Sequence, residues 1–185
     1  MSGTPVFWLA AAVAVLLFWS LGAYNRLVRL RAQVISRFAA VDQRMAQALG
    51  LLAEAAAGDD AGATPVADRA GRHAGSPAAR AGLQAAAVQF EVALRVARRQ
   101  PLDAGVMAAL QAAHTTVHAV WERCSASAPA PDTTTMQRGW QDSSRDVHEA
   151  QAGYNAAVQD YNAAIAQFPA SVLAYFFGFG SAGLL

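Results

Sequence analysis

The chain contains no lysine; all 14 of its basic residues are arginine. That absence is read as coding-sequence composition rather than function. Cysteine is nearly missing too. Cys124 stands alone, which excludes an intramolecular disulfide. No charged side chain precedes Arg26. An excess of one charge is also lacking. The formal net charge is +1, and past the first few arginines basic and acidic residues alternate. So even a balance leaves no basic stripe of the kind nucleic acid requires, and no nucleic-acid partner is expected. There is no glycine-rich phosphate loop and no His-Glu-x-x-His helix, which removes the commonest signatures of phosphoryl transfer and zinc hydrolysis. What the chain has in plenty is alanine, a strong helix former that lets helices approach closely.

An uncharged apolar run of about 18 residues extends from Val6 to Ala23. As a helix it covers roughly 27 Å, enough to cross the hydrocarbon of a bilayer. Arg26, Arg29, Arg31 and Arg37 follow before the first acid, Asp42. By the positive-inside rule this predicts a single-pass protein of a bacterial inner (cytoplasmic) membrane, its N-terminus outside and its body cytoplasmic. The same arginines favour anionic headgroups by about 1 kcal/mol each. A cleaved signal peptide is the competing reading, because Leu21-Gly22-Ala23 offers small residues to a peptidase. It lacks a basic leader, and the arginines sit on the flank that opposes export, so an uncleaved anchor is predicted.

The predicted fold is all-α. An N-terminal tail and transmembrane anchor (1–23) continue into a long antiparallel four-helix bundle (24–168), followed by an apolar tail (169–185). The helices are placed at about 24–57, 77–100, 103–124 and 135–168. The first carries a seam of Tyr24, Leu27, Arg31, Val34, Phe38, Val41, Met45, Ala48 and Leu52, alternating three and four residues. Gly58 to Pro77 reads as a loop, with Ser76 capping and Pro77 opening the second helix. That helix presents Leu83, Ala87, Phe90, Leu94 and Ala97, and Pro101 stops it. Asp103 caps a third helix with Val106, Leu110, Ala113, Val117, Val120 and Cys124 on one face. Ser125 to Asp132 is a second linker. In the fourth helix Trp140, Val147, Tyr154, Tyr161 and Phe168 fall seven apart, with Ser144, Gln151, Val158 and Ile165 between them. Up-down-up-down packing brings its end back to the membrane. There the uncharged tail, with Tyr175, Phe176, Phe177 and Phe179, either lies in the interface or covers the near end of the bundle.

These residues resemble the LemA family of bacterial single-anchor membrane proteins. Tyr24-Asn25-Arg26-Leu27-Val28-Arg29-Leu30-Arg31 is similar to the family's opening after the anchor, and Val41-Asp42 to its hydrophobic-Asp pair. Tyr154-Asn155 and Tyr161-Asn162, then Ile165, Phe168-Pro169 and Phe177-Gly178-Phe179, resemble its twin Tyr-Asn motif and the stretch that continues it. The segment Gln43 to Leu49 departs from the family pattern. The resemblance implies a membrane-tethered helical domain with no recognised catalytic activity. Read physically, Tyr24 suits the headgroup layer. The tyrosines and asparagines of the last helix would form a polar layer fixing its register against the first, since buried phenols and amides need partners.

Little points to chemistry. His114 and His118 are four apart with Glu122 a turn further, a spacing that could share one metal. A third firm ligand is lacking, so exposed histidines are the preferred reading, and neither metal nor cofactor is expected. His73 and His148 complete no set. Arg138–Asp142, Asp142–Arg145 and Glu91–Arg95 read as solvated ion pairs worth a few tenths of a kcal/mol. The expected function is that of a non-enzymatic interaction or scaffold module. Its expected partners are the bilayer, an unidentified protein and, through heptad surfaces, further copies of itself. A membrane-tethered sensor that binds a small ligand is the alternative.

Overall fold

The computed structural model describes residues 3–57, 77–126 and 133–185. Residues 58–76, including the Ser76 cap, and 127–132 lie outside the described residues, whereas Ser125 and Ala126, expected in the second linker, continue the third helix. Among the described residues the chain is helical, with no strand: α1 (Gly3–Ala57), α2 (Pro77–Arg99), α3 (Ala104–Ala126), α4 (Thr133–Ala166) and the short α5 (Ala170–Phe177). Helix α1 is continuous from the apolar run into the seam, about 80 Å at helical rise.

The two halves of α1 have opposite environments. Phe7, Leu9, Val15, Leu16, Leu17 and Phe18 are exposed, whereas Leu27, Val34, Phe38, Val41, Met45, Ala48 and Leu52 are buried. The buried set is the three-four alternation that lines one side of a helix. One long, apolar helical stretch of the kind that can cross a membrane is therefore present, and its side chains contribute nothing to the core. Helices α1 and α4 pack together, as do α2 and α3, and α2 also lies against α1. Phe38 meets Tyr154, and Arg44 meets Asp146, so residue numbers fall in α1 as they rise in α4. Phe90 stacks on His114, and the Cys124 thiol reaches the Ala79 carbonyl, which gives α2 and α3 the same opposed sense.

Leu83, Phe90, Leu94 and Ala97 of α2 enter the shared core, with Ala86 in place of the expected Ala87. Pro101 ends α2 as expected, and the Asp103 carboxylate accepts the Val106 N–H at 2.8 Å to cap α3. The face of α3 is turned relative to the expected one. Met107, His114 and Trp121 are buried with Leu110, Ala113 and Val117, while Val106, Val120 and Cys124 are half-covered. Ring contacts draw the larger side chains inward: His114 meets Phe90, and Trp121 meets Trp140. His114 is consequently not the exposed histidine expected.

Helix α4 stops two residues early, at Ala166. Phe168, expected as the last seam residue, is 71% exposed, because Pro169 offers no N–H to continue the helix and the chain turns there. The Phe168–Pro169 peptide bond is cis. Helix α5 then packs on α1 and α4 through Ala170 and Ala174. Gly178 closes α5 in the left-handed conformation (φ 68°), its N–H bonded to the Ala174 carbonyl. The remaining residues run back along the bundle.

Candidate functional site

The polar residues of α4 converge on that returning segment. The Tyr154 hydroxyl donates to the carbonyls of Gly183 (2.9 Å) and Pro101 (2.8 Å), and the Tyr161 hydroxyl to that of Gly180 (3.0 Å). The Asn155 amide donates to the Leu185 carbonyl at 2.6 Å and accepts the Leu185 N–H at 2.8 Å. Asn162 does the same to Ala182, at 2.9 Å in both directions. Each asparagine thus mimics one rung of a β-ladder for a segment that lies in no sheet. The Gly183 N–H completes the set by bonding Leu102, in the turn between α2 and α3.

A simple match of lengths underlies the motif. Seven residues of helix rise about 10.5 Å, and three residues of extended chain advance about 10 Å. The two tyrosines, seven apart, accordingly reach Gly183 and Gly180, three apart; the two asparagines reach Leu185 and Ala182, also three apart. Register is enforced sterically too. A Cβ on Gly183 would lie 2.4 Å from the backbone Cα of Ala104, so only glycine fits there.

The expected tyrosine–asparagine layer between α1 and α4 is thus corrected: these four residues hold the C-terminal segment and the α2–α3 turn. On α1, Asn25 is exposed and Tyr24 packs on Phe177 (5.2 Å between centroids) and Phe179 (6.0 Å). Leu27 is fully buried with Ala164 and Ala170, and Leu30 packs beside them. The Arg31 guanidinium lies 5.7 Å over the Phe179 ring. Arg26, Arg29 and Arg37 are exposed, and Asp42 pairs with Arg98 at 2.7 Å. Burial pushes the Tyr154 phenol up to about 12. It raises Tyr161 as well, against the opposing pull of Arg31. Both phenols stay neutral donors and are unsuited to proton transfer near neutrality. Beside the segment Arg31, Arg99, Asp103, Tyr161 and Ser181 line an open cleft of about 540 Å³.

A second polar group lies further along the bundle, where the sequence pattern shows only a weak histidine pair. The rings of Phe90, His114, His118, Trp140 and Trp121 form a chain of contacts with centroids 4.7–5.5 Å apart. Burial pushes His114 down to about 4, and His118 beside it adds to the shift. His118 is also held low by burial, partly offset by Glu122. Ser144 donates to the Trp140 carbonyl at 2.7 Å, and Gln151 to Gln111 at 3.0 Å. His114 between Phe90 and His118, and His118 against Trp140, are placed as packing rings. Among the described residues no three His, Cys, Asp or Glu side chains are grouped to hold a metal ion.

Residues 105–185 match the model of the LemA family. That stretch is similar to the LemA family. The LemA match begins at the start of α3 and takes in α4, α5 and the whole clamped segment, including Tyr154, Asn155, Tyr161, Asn162, Phe168 and Pro169. It leaves out Tyr24 to Arg31 and Asp42. No curated protein matches the chain, and no solved structure does.

Proposed function

We propose that this LemA-like chain is a single-pass inner-membrane protein whose cytoplasmic part, an antiparallel four-helix bundle, is a non-enzymatic scaffold. The observation that carries the reading is α1 itself, which passes without a break from exposed apolar side chains to buried ones. A helix exposing Phe, Trp and Leu on all sides is costly in water and at home in hydrocarbon. The direction is supported by Arg26, Arg29, Arg31 and Arg37, all on one flank of the run. A scaffold role is supported by how the polar groups are used: the buried tyrosines and asparagines are occupied in holding the chain's own segment. Interaction is further supported by Val88, Val92 and Val96, an exposed valine row one turn apart on α2.

Protease added to intact spheroplasts should leave the bundle whole and digest it after lysis. Digestion before lysis would reverse the orientation. A photo-crosslinker at Val92 should yield a discrete protein adduct in cells, and no adduct there or at Val88 would remove the scaffold reading. The cleft beside Arg31 and Arg99 favours a second reading, a sensor for a small anionic ligand. Under it, Arg99→Ala would abolish ligand-induced thermal stabilisation while leaving the crosslink intact.

A further inference from the structure

Helix α5 presents an apolar face that no part of the described chain covers. Phe168, Val172, Tyr175 and Phe176 are 71%, 46%, 85% and 76% exposed, while Ala170 and Ala174 on the opposite side are buried. The spacing of 172, 175 and 176 puts them on one side of the helix. The sequence from Tyr161 to Leu185 carries no charged side chain. Such a face needs an occupant.

Its position identifies one. Phe168 meets Trp19 edge-on at 5.8 Å, and Phe177 meets Tyr24 in a tilted contact at 5.2 Å. Both α1 rings lie where the apolar run ends, at Ala23. Trp19 is four residues back into that run, so Phe168 rides roughly 6 Å inside its boundary. That is the depth at which interfacial helices bury their apolar side, about 5–10 Å. Exposed Arg26 and Arg29 follow within two turns, on the side where anionic headgroups would lie. Tyr, Trp and Phe without charges is also the chemistry of membrane boundary belts.

We propose that α5 is an interfacial helix, seated in the cytoplasmic boundary of the bilayer with Val172, Tyr175 and Phe176 in the acyl region. The protein then holds the membrane at two points, the α1 span and the α5 face, and the second fixes how the bundle stands on the first. This rests on the anchor reading of α1.

The test uses the full chain in vesicles of phosphatidylethanolamine and phosphatidylglycerol. Phe176→Cys, Val13→Cys and Gln89→Cys, each with Cys124→Ser, carry an environment-sensitive fluorophore, and lipids bear a nitroxide either near the headgroup or near the acyl terminus. All three positions are exposed on their helices, so folding is not at risk. The label at 176 should lose its emission to the shallow nitroxide, that at 13 to the deep one, and that at 89 to neither. Quenching at 13 without quenching at 176 overturns the α5 proposal and leaves the anchor standing. A label at 176 that is blue-shifted yet unquenched by either lipid also overturns it, since a second copy of the chain then covers the face. Absence of quenching at both 13 and 176 removes the anchor reading and the α5 proposal together.

Discussion

Asn155 and Asn162 each hold a backbone N–H and a carbonyl of one residue, so the segment from Gly180 to Leu185 is paired rung by rung without a β-sheet. Single residues decide whether it fits. Gly183→Ala puts a methyl against the backbone of Ala104, which cannot yield as a side-chain tip could. Overpacking of this kind costs about 1–3 kcal/mol. Because the segment can leave for water, that cost should appear as detachment rather than global unfolding. Amide exchange at Ala182 and Leu185 should accelerate at least tenfold, the equivalent of ~1.4 kcal/mol, while Gly180→Ala, with open space around its Cβ, leaves exchange unchanged. His114 supplies a second residue-scale test. Its folded pKa, about 4, lies below the ordinary 6.5, so the unfolded chain binds the extra proton first. Stability is therefore complete above about pH 6.5 and falls as pH drops toward 4, by on the order of 3 kcal/mol over the window. Denaturant midpoints at pH 7 and pH 5 should differ for the native chain and differ less for His114→Leu, in which the lowered His118 still contributes.

At the scale of elements, the apolar repeat of α1 is legible because one helix buried along one side leaves a clean three-four signature, and every expected aliphatic of that seam is in the core. The heptad tyrosines of α4 are equally visible, yet their purpose is not. Sequence periodicity records which side of a helix is covered and says nothing of what covers it; here the cover is an extended segment whose glycines and alanines carry no pattern of their own. The same limit explains α3, where Trp121 and His114 displace the predicted Val120 and Cys124 through ring contacts across the bundle that no local period encodes. The break at Pro169 is foreseeable, but not that Phe168 turns outward with it. The segment's structural role is open to a direct check. Deleting residues 180–185 takes Gly180 from the Tyr161 hydroxyl and the backbone partners from both asparagines, leaves the Tyr154 hydroxyl only the Pro101 carbonyl, and frees the Leu102 carbonyl from Gly183. Exchange protection should fall in the 100–103 turn and at the first turn of α3, and stay unchanged at Met45 and Leu52. A uniform loss throughout α1 would mean that the segment supports the whole core instead of one end of it.

For the whole molecule, the question is how the apolar run and the bundle depend on each other. Core residues of α1 begin at Leu27, and the described side chains before Ala23 are exposed or half-exposed. Removing the run chiefly breaks the edge-on pair of Trp19 and Phe168. Aromatic pairs are worth about 0.5–1.5 kcal/mol, and for a domain of this size 1 kcal/mol moves Tm by about 2–4 °C. The ion pairs that link helices, Arg44–Asp146 and Arg98–Asp42, are partly solvent-exposed and lie beyond the cut, so they change little. A chain beginning at Tyr24 should therefore fold, with its helical circular dichroism intact and a Tm in mild detergent within about 5 °C of the full-length protein. It should still require detergent or vesicles to stay monodisperse, because Tyr175, Phe176 and Phe177 remain uncovered. If the shortened chain instead melts without cooperativity, α1 is held straight by the membrane, and the bundle is a structure that the bilayer helps to fold.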